Sequence, residues 1–163
     1  MRRLVLMRHA KTEPSNIHGD KARRLTPRGV QDAQEAGVEL AALGVDHALV
    51  STATRTRETF AATGLNVPVE YQDALYYSGT ETMLARIGET ADDVSCLLVI
   101  AHAPTIPSLT AELAYASDRQ AADEAQCWYP TAAFSTFEFE GSWADLAASD
   151  LRSVRFAAIR RPR

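Results

Sequence analysis

Short apolar runs alternate with longer amphipathic stretches along most of this chain. The segment Arg3–Arg8 carries Leu4, Val5, Leu6 and Met7 between arginines, too short for a core helix, and reads as a central strand. A polar stretch from Ala10 to Leu25 follows without a clear period. Thr26 and Pro27 then open a helix, with Thr26 as cap and Pro27 in the first turn, where a missing N–H costs nothing. Val30, Ala33, Gly37, Leu40 and Ala41 recur at helical spacing, and Gly44 suits the C-terminal cap. His47 to Val50 is a second strand, after which Ser51 or Thr52 caps a helix carrying Arg55, Thr59 and Phe60 and ending near Gly64.

Val67 to Tyr71 predicts a third short strand. Thr80 and Glu81 open a helix with Met83, Leu84 and Ile87 on its apolar side. Val94 to Ala101 contains an apolar run that suits a strand buried on both faces, and Pro104 starts a helix through Leu109 and Leu113. Ser117 to Tyr129 is polar and has no clear assignment. Phe134 to Phe139 and Ser153 to Ile159 read as two last strands with no helix between them, paired antiparallel at an edge. Strands alternating with helices predict an α/β fold: a three-layer sandwich with a mostly parallel central sheet and helices on both faces. With no repeat, low-complexity tract or linker, residues 1–163 read as one domain.

Composition narrows the function classes. A hydrophobic share of 46% with 23% charged residues fits a globular core rather than a disordered chain. The formal net charge of −4 gives no general attraction to a nucleic-acid or lipid phosphate surface. The apolar run at the start is too short for a signal peptide or a membrane span, and two cysteines cannot form a disulfide framework, so a cytoplasmic setting is expected. The basic tail Arg160 to Arg163 reads as a frayed end.

In open parallel sheets, ligands bind beyond the carboxyl ends of the strands. Three predicted strand ends carry unusual residues: Arg8 and His9, then Arg55 at the helix start after the second strand, then His102. Converging there, they would suit phosphoryl transfer. Arginines offer planar paired donors to phosphate oxygens, and a neutral imidazole is nucleophilic near pH 7. Each residue alone also has an ordinary reading, Arg55 as a solvated helix charge and His102 as a hydrogen-bonded core histidine.

The segment Leu6, Met7, Arg8, His9, Ala10, Lys11 resembles the signature of the histidine phosphatase superfamily, the phosphoglycerate mutase-like group. Asp20 through Gly29 resembles the approach to that family's first helix, Ser51 through Thr59 its Ser-Pro-x-x-Arg-x-x-x-Thr element, and Ile100 through Pro104 its Gly-His-x-Pro element. Pro130, Thr131 and Ala132, followed by Phe137, Phe139 and Trp143, resemble the end of the small SixA-type phosphohistidine phosphatases. The resemblance implies a histidine phosphatase fold with His9 as nucleophile and Arg8, Arg55 and His102 as the phosphate pocket. It implies substrate contacts from Asp20 and Arg23, although Asp20 also reads as a plain charge on the approach to the helix. It implies neither metal nor cofactor. Ala10, Thr52, Ala101 and Ala103 depart from the family pattern but remove no charged pocket residue.

Larger members carry a helical lid insertion with a glutamate acid after the third strand. Here Tyr71 to Val94 holds room for a loop and one helix, with Glu81 the nearest carboxylate. An open site of this kind suits a phosphorylated protein, a phosphohistidine above all. The alternatives are a phosphatase of small phosphomonoesters such as a sugar phosphate or nucleotide, and a module that binds phosphorylated partners without turnover. The oligomeric state stays open, and a monomer is compatible with the pattern.

Overall fold

A computed structural model describes residues 1–163. Strand β1 (Arg2–Arg8) leads through a long loop to helix α1 (Pro27–Ala42). Then follow β2 (His47–Ser51), α2 (Thr54–Thr63), β3 (Val69–Gln72), α3 (Thr80–Gly88), β4 (Cys96–Ala101), α4 (Thr105–Ala114) and α5 (Arg119–Cys127). The chain closes with β5 (Phe134–Phe139), α6 (Trp143–Ala147) and β6 (Arg155–Arg160). One six-stranded sheet has the order β3-β2-β4-β1-β5-β6. The β1–β4, β2–β4 and β2–β3 pairs are parallel, and β5 joins both β1 and β6 antiparallel.

The alternation of side chains across the sheet explains the two cores. Leu4, Leu6, Leu97 and Val99 point to one face, where they meet Met83, Ile87, Leu109, Ala122 and Trp143 from α3 to α6. Val5, Met7, Leu98 and Ile100 point to the other, against Ala33, Ala36 and Leu40 of α1 and Phe60 of α2. Central strands buried on both faces need a continuous apolar run, and β1 and β4 have one. The expected mostly parallel sheet between two helical layers is what forms.

Local signals placed α1 well. Thr26 Oγ1 accepts from the Gly29 N–H, Pro27 sits in the first turn, and Gly44 follows the C-terminus at φ 81°. Gly37 has a packing reason: a Cβ there would lie 2.0 Å from the Thr63 carbonyl oxygen, so α1 and α2 touch backbone to backbone.

Several expectations need correction. The unassigned stretch Ser117–Tyr129 contains α5, capped by Asp118, whose side chain accepts from the Ala121 N–H. Only Ala122 and Ala125 of that helix are buried, so its apolar stripe is too small to read. A helix does lie between the last two strands. In α6, Ser142 and Asp145 form a reciprocal capping box and Trp143 is buried with its indole N–H on the Val94 carbonyl. The cap of α2 is Ala53, two residues beyond Ser51 and one beyond Thr52, the expected caps, and it makes no side-chain capping bond. The third strand starts at Val69 rather than Val67. The basic tail is not frayed: Arg160 ends β6 and pairs with Glu39, while Arg161 stacks 4.6 Å over the Trp128 ring and donates to its carbonyl. No helix is long and apolar enough to cross a membrane.

Candidate active site

The strand order puts the ends of β2, β4 and β1 side by side. In the β1–β4 register Arg8 faces Ala101, and the His9 N–H donates to the Ala101 carbonyl at 3.0 Å. His9 and His102 therefore leave neighbouring strands together, with ring centroids 5.4 Å apart. From the end of β2 the chain turns into α2, whose first turn delivers Arg55 to the same rim. His9, His102 and Arg55 are 6%, 8% and 6% exposed, so each is held by the fold rather than free in solvent.

Each group has its own fixing contacts. His9 Nδ1 lies 2.8 Å from the Ala10 carbonyl, so Nδ1 carries the proton and Nε2 keeps its lone pair. The Ala10 N–H in turn donates to Thr59 Oγ1 at 3.0 Å, and Thr59 donates to the Arg55 carbonyl at 2.7 Å. Thr59 thus ties the loop after β1 to α2. Arg8 Nη1 donates to the Tyr129 carbonyl at 2.9 Å. Arg55 donates to the Asp20 carbonyl at 2.9 Å and, from Nη2, to its carboxylate at 3.2 Å. The Nε–H groups of Arg8 and Arg55 are buried and have no partner, which leaves both guanidinium groups with donors to spare.

Asp20 is the hub of the outer part. Its carboxylate accepts from Arg23 Nε at 3.1 Å, from Arg55, and from the Tyr76 hydroxyl at 2.6 Å. The Tyr76 bond, followed by Arg55, holds its carboxyl below the usual carboxylate range. The Tyr76 ring lies edge-on to His102 at 5.6 Å, with the Arg55 guanidinium 5.7 Å from its centroid. Asp20, Arg55, Tyr76, His102 and Thr105 line an open hollow of about 420 Å³.

Burial sets the charge state of the imidazoles. Desolvation, with the neighbouring His102, Arg55 and Arg8 charges, lowers His9 to about 3 against the pull of its Ala10 bond. Desolvation and Arg55 lower His102 to about 4, opposed by Asp20. Both rings are neutral at pH 7 before an anion arrives. A bound dianion favours the charged form of each.

The six residues singled out in the sequence are thus brought together: His9, His102 and Arg55 at the rim, Arg8 close enough to depress both imidazoles, Asp20 and Arg23 joined to Arg55. Glu81 stands exposed in the first turn of α3, and the hollow is lined by Ser78 and Gly79 from that region instead. Sequence reasoning missed Tyr129, which lies far along the chain from Arg8 and is paired with it through a carbonyl that no side-chain pattern reveals. Tyr76 belongs to the rim, since it lines the hollow and its hydroxyl donates to Asp20. No three His, Cys, Asp or Glu side chains cluster so as to hold a metal ion. Both cysteines are free, Cys96 buried and Cys127 exposed.

Known proteins resemble this chain in sequence and in fold. The model of the histidine phosphatase superfamily, branch 1, matches residues 4–76. An uncharacterized protein of Mycobacterium tuberculosis is 38% identical over 144 residues, covering 86% of this chain and 91% of the relative. A structure from Nakamurella multipartitia, named as a candidate phosphohistidine phosphatase SixA, is 38% identical with a TM-score of 0.87, over 99% of this chain and 96% of that one. A structure of the protein histidine phosphatase SixA complexed with tungstate has a TM-score of 0.78 over 98% and 97% of the two chains; at 21% identity it speaks for the fold. By sequence and by fold together, the chain belongs to the histidine phosphatase superfamily.

Proposed function

We propose that this phosphatase removes the phosphoryl group from a phosphohistidine carried by another protein, through a phosphohistidine formed on its own His9. One observation carries the reading: two imidazoles and two guanidinium groups meet at one open rim, and His9 is pinned so that its Nε2 lone pair is free. In the first step Nε2 attacks phosphorus, the bond from phosphorus to the substrate nitrogen breaks, and its electron pair leaves with the substrate imidazole. Water then attacks the phosphorylated His9. Inorganic phosphate departs, and the Nε2 lone pair is restored.

Arg8 and Arg55 neutralise the equatorial oxygens of the transferring group, and His102 donates to one of them. Asp20 and Arg23 sit where a protein substrate would cross the outer hollow. The Nakamurella likeness and the absence of a lid between β3 and β4 support a protein-borne phosphate over an enclosed metabolite. The free cysteines fit a reducing, cytoplasmic setting.

The test compares wild type with His9→Ala on a phosphohistidine protein and on an aryl phosphomonoester. Turnover should vanish on both. In the wild type, rapid quenching should trap a protein-bound phosphate that is labile in acid and stable in alkali. Retained turnover in His9→Ala, or a label that survives acid, would overturn the proposal.

A further inference from the structure

His102 has one ring nitrogen already committed. Its Nε2 lies 2.8 Å from Ser51 Oγ, whereas its Nδ1 is buried with no hydrogen-bond partner. Ser51 is wholly buried at the end of β2. Its hydroxyl oxygen has two hydrogen-bonding neighbours, the His102 ring and the Ala53 N–H at 3.3 Å. The Ala53 N–H can only donate, so it takes a lone pair of Ser51 Oγ and offers nothing to the hydroxyl proton. A buried hydroxyl proton needs an acceptor, and the one within reach is His102 Nε2. The ordering follows in one direction: Ala53 N–H to Ser51 Oγ, Ser51 O–H to His102 Nε2. Nε2 is then the unprotonated nitrogen, and the proton of the neutral ring sits on Nδ1.

We propose that Ser51 is a positioning residue for phosphoryl transfer: its hydroxyl locks His102 in the Nδ1–H tautomer, so that the ring meets the anion as a donor. Without that lock the ring is free to hold its proton on Nε2 and to turn a lone pair toward the phosphate oxygens, which repels them. The same hydroxyl can rotate and accept from Nε2–H once a bound dianion draws a second proton onto the ring, so Ser51 serves both charge states. The proposal rests on reading the hollow as a phosphoryl pocket, but its first test does not.

That test is a long-range proton–nitrogen correlation spectrum of the nitrogen-15-labelled wild type at pH 7 without phosphate, in which the two ring nitrogens of His102 resonate in separate windows. The expected pattern has Nδ1 protonated and Nε2 bare; a dominant Nε2–H form overturns the proposal. The second test measures inorganic phosphate binding by calorimetry in wild type, Ser51→Ala, His102→Asn and the double variant. Loss of a donor to a charged oxygen should weaken binding about 10-fold or more in Ser51→Ala. In the His102→Asn background the same change should have no further effect. An equal loss in both backgrounds would mean that Ser51 only supports the fold, and would overturn the tautomer role. Failure of the His9→Ala experiment would remove the phosphatase reading and leave the spectrum standing.

Discussion

The two buried imidazoles make the stability of this protein acid-sensitive in a window where its carboxylates are silent. His9 is lowered to about 3 and His102 to about 4, while in the unfolded chain each titrates near its ordinary 6.5. A depressed imidazole contributes stability that is fully present above the unfolded value and lost as the pH falls toward the folded value. At pH 5 the unfolded chain has bound nearly one proton on each ring and the native chain almost none. The linkage relation then gives a loss of about 2 kcal/mol per ring between pH 7 and pH 5. Because both native rings stay neutral in this interval, their mutual repulsion does not enter, and the two losses add to about 4 kcal/mol. The lowered carboxylates contribute little in this interval, since they lose most of their stability at lower pH, as it falls below their ordinary values of 3.8 for Asp20 and 4.5 for Glu13. Urea unfolding at pH 7 and pH 5, in phosphate-free buffer, measures the difference. His9→Gln and His102→Gln should each remove about half of the wild-type pH dependence, whatever they do to stability at pH 7. A wild-type loss below about 1 kcal/mol, or the same loss in wild type and both variants, would refute the assignment of neutral buried imidazoles.

Other perturbations separate chemistry from architecture. Arg55→Lys replaces a planar fork by a point charge and should lower kcat/KM about 100-fold in steady-state assays on a phosphohistidine peptide, with little change in urea midpoint. Tyr129→Phe removes a buried hydroxyl that donates to the Leu6 carbonyl at 2.7 Å, and should cost about 1 kcal/mol by urea titration. The Tyr129 carbonyl that holds Arg8 is untouched by that change, so turnover should stay near wild type. Gly37→Ala forces a Cβ against the Thr63 carbonyl and should destabilise by about 3 kcal/mol, a loss that thermal unfolding would register as a clearly lowered Tm.

Which of these features could be read from the sequence follows from how local their causes are. Arg8, His9 and His102 stood out because each ends an apolar run, and Arg55 because it opens the helix after another. The strand order that joins those ends cannot be read from periodicity, since β4 enters between β1 and β2 only once the sheet is assembled. The helices α5 and α6 escaped because each buries just two side chains. The tail was misread because its order comes from Arg161 stacking on Trp128, a contact across 33 positions. Asp20 was visible as a motif residue, but the donors that hold it ionised, Tyr76 and Arg55, arrive from separate segments.

That ionised Asp20 bears on which substrates the site can handle. It is the carboxylate lining the hollow, and its strongest contact is with a hydroxyl that donates to it. A carboxyl group held below its usual range is a poor general acid near neutral pH. An alkyl phosphate expels an alkoxide, which needs a proton at the moment of bond breaking. A phosphohistidine needs none from the protein if the far nitrogen of its ring is already protonated, because the imidazole then leaves neutral. The open hollow beside Asp20 would even favour that protonated ring, since a carboxylate attracts it. Substrates should therefore rank by leaving group. Phosphohistidine peptide and p-nitrophenyl phosphate should be turned over readily, and an alkyl phosphate such as glycerol phosphate at least about 100-fold more slowly, the contribution expected of a missing general acid. Steady-state kcat values on the three at pH 7 decide it. Equal rates on the alkyl and aryl esters would mean that a proton donor reaches the leaving oxygen after all, and Asp20→Asn would then show whether this carboxyl, despite its contacts, is the one that supplies it.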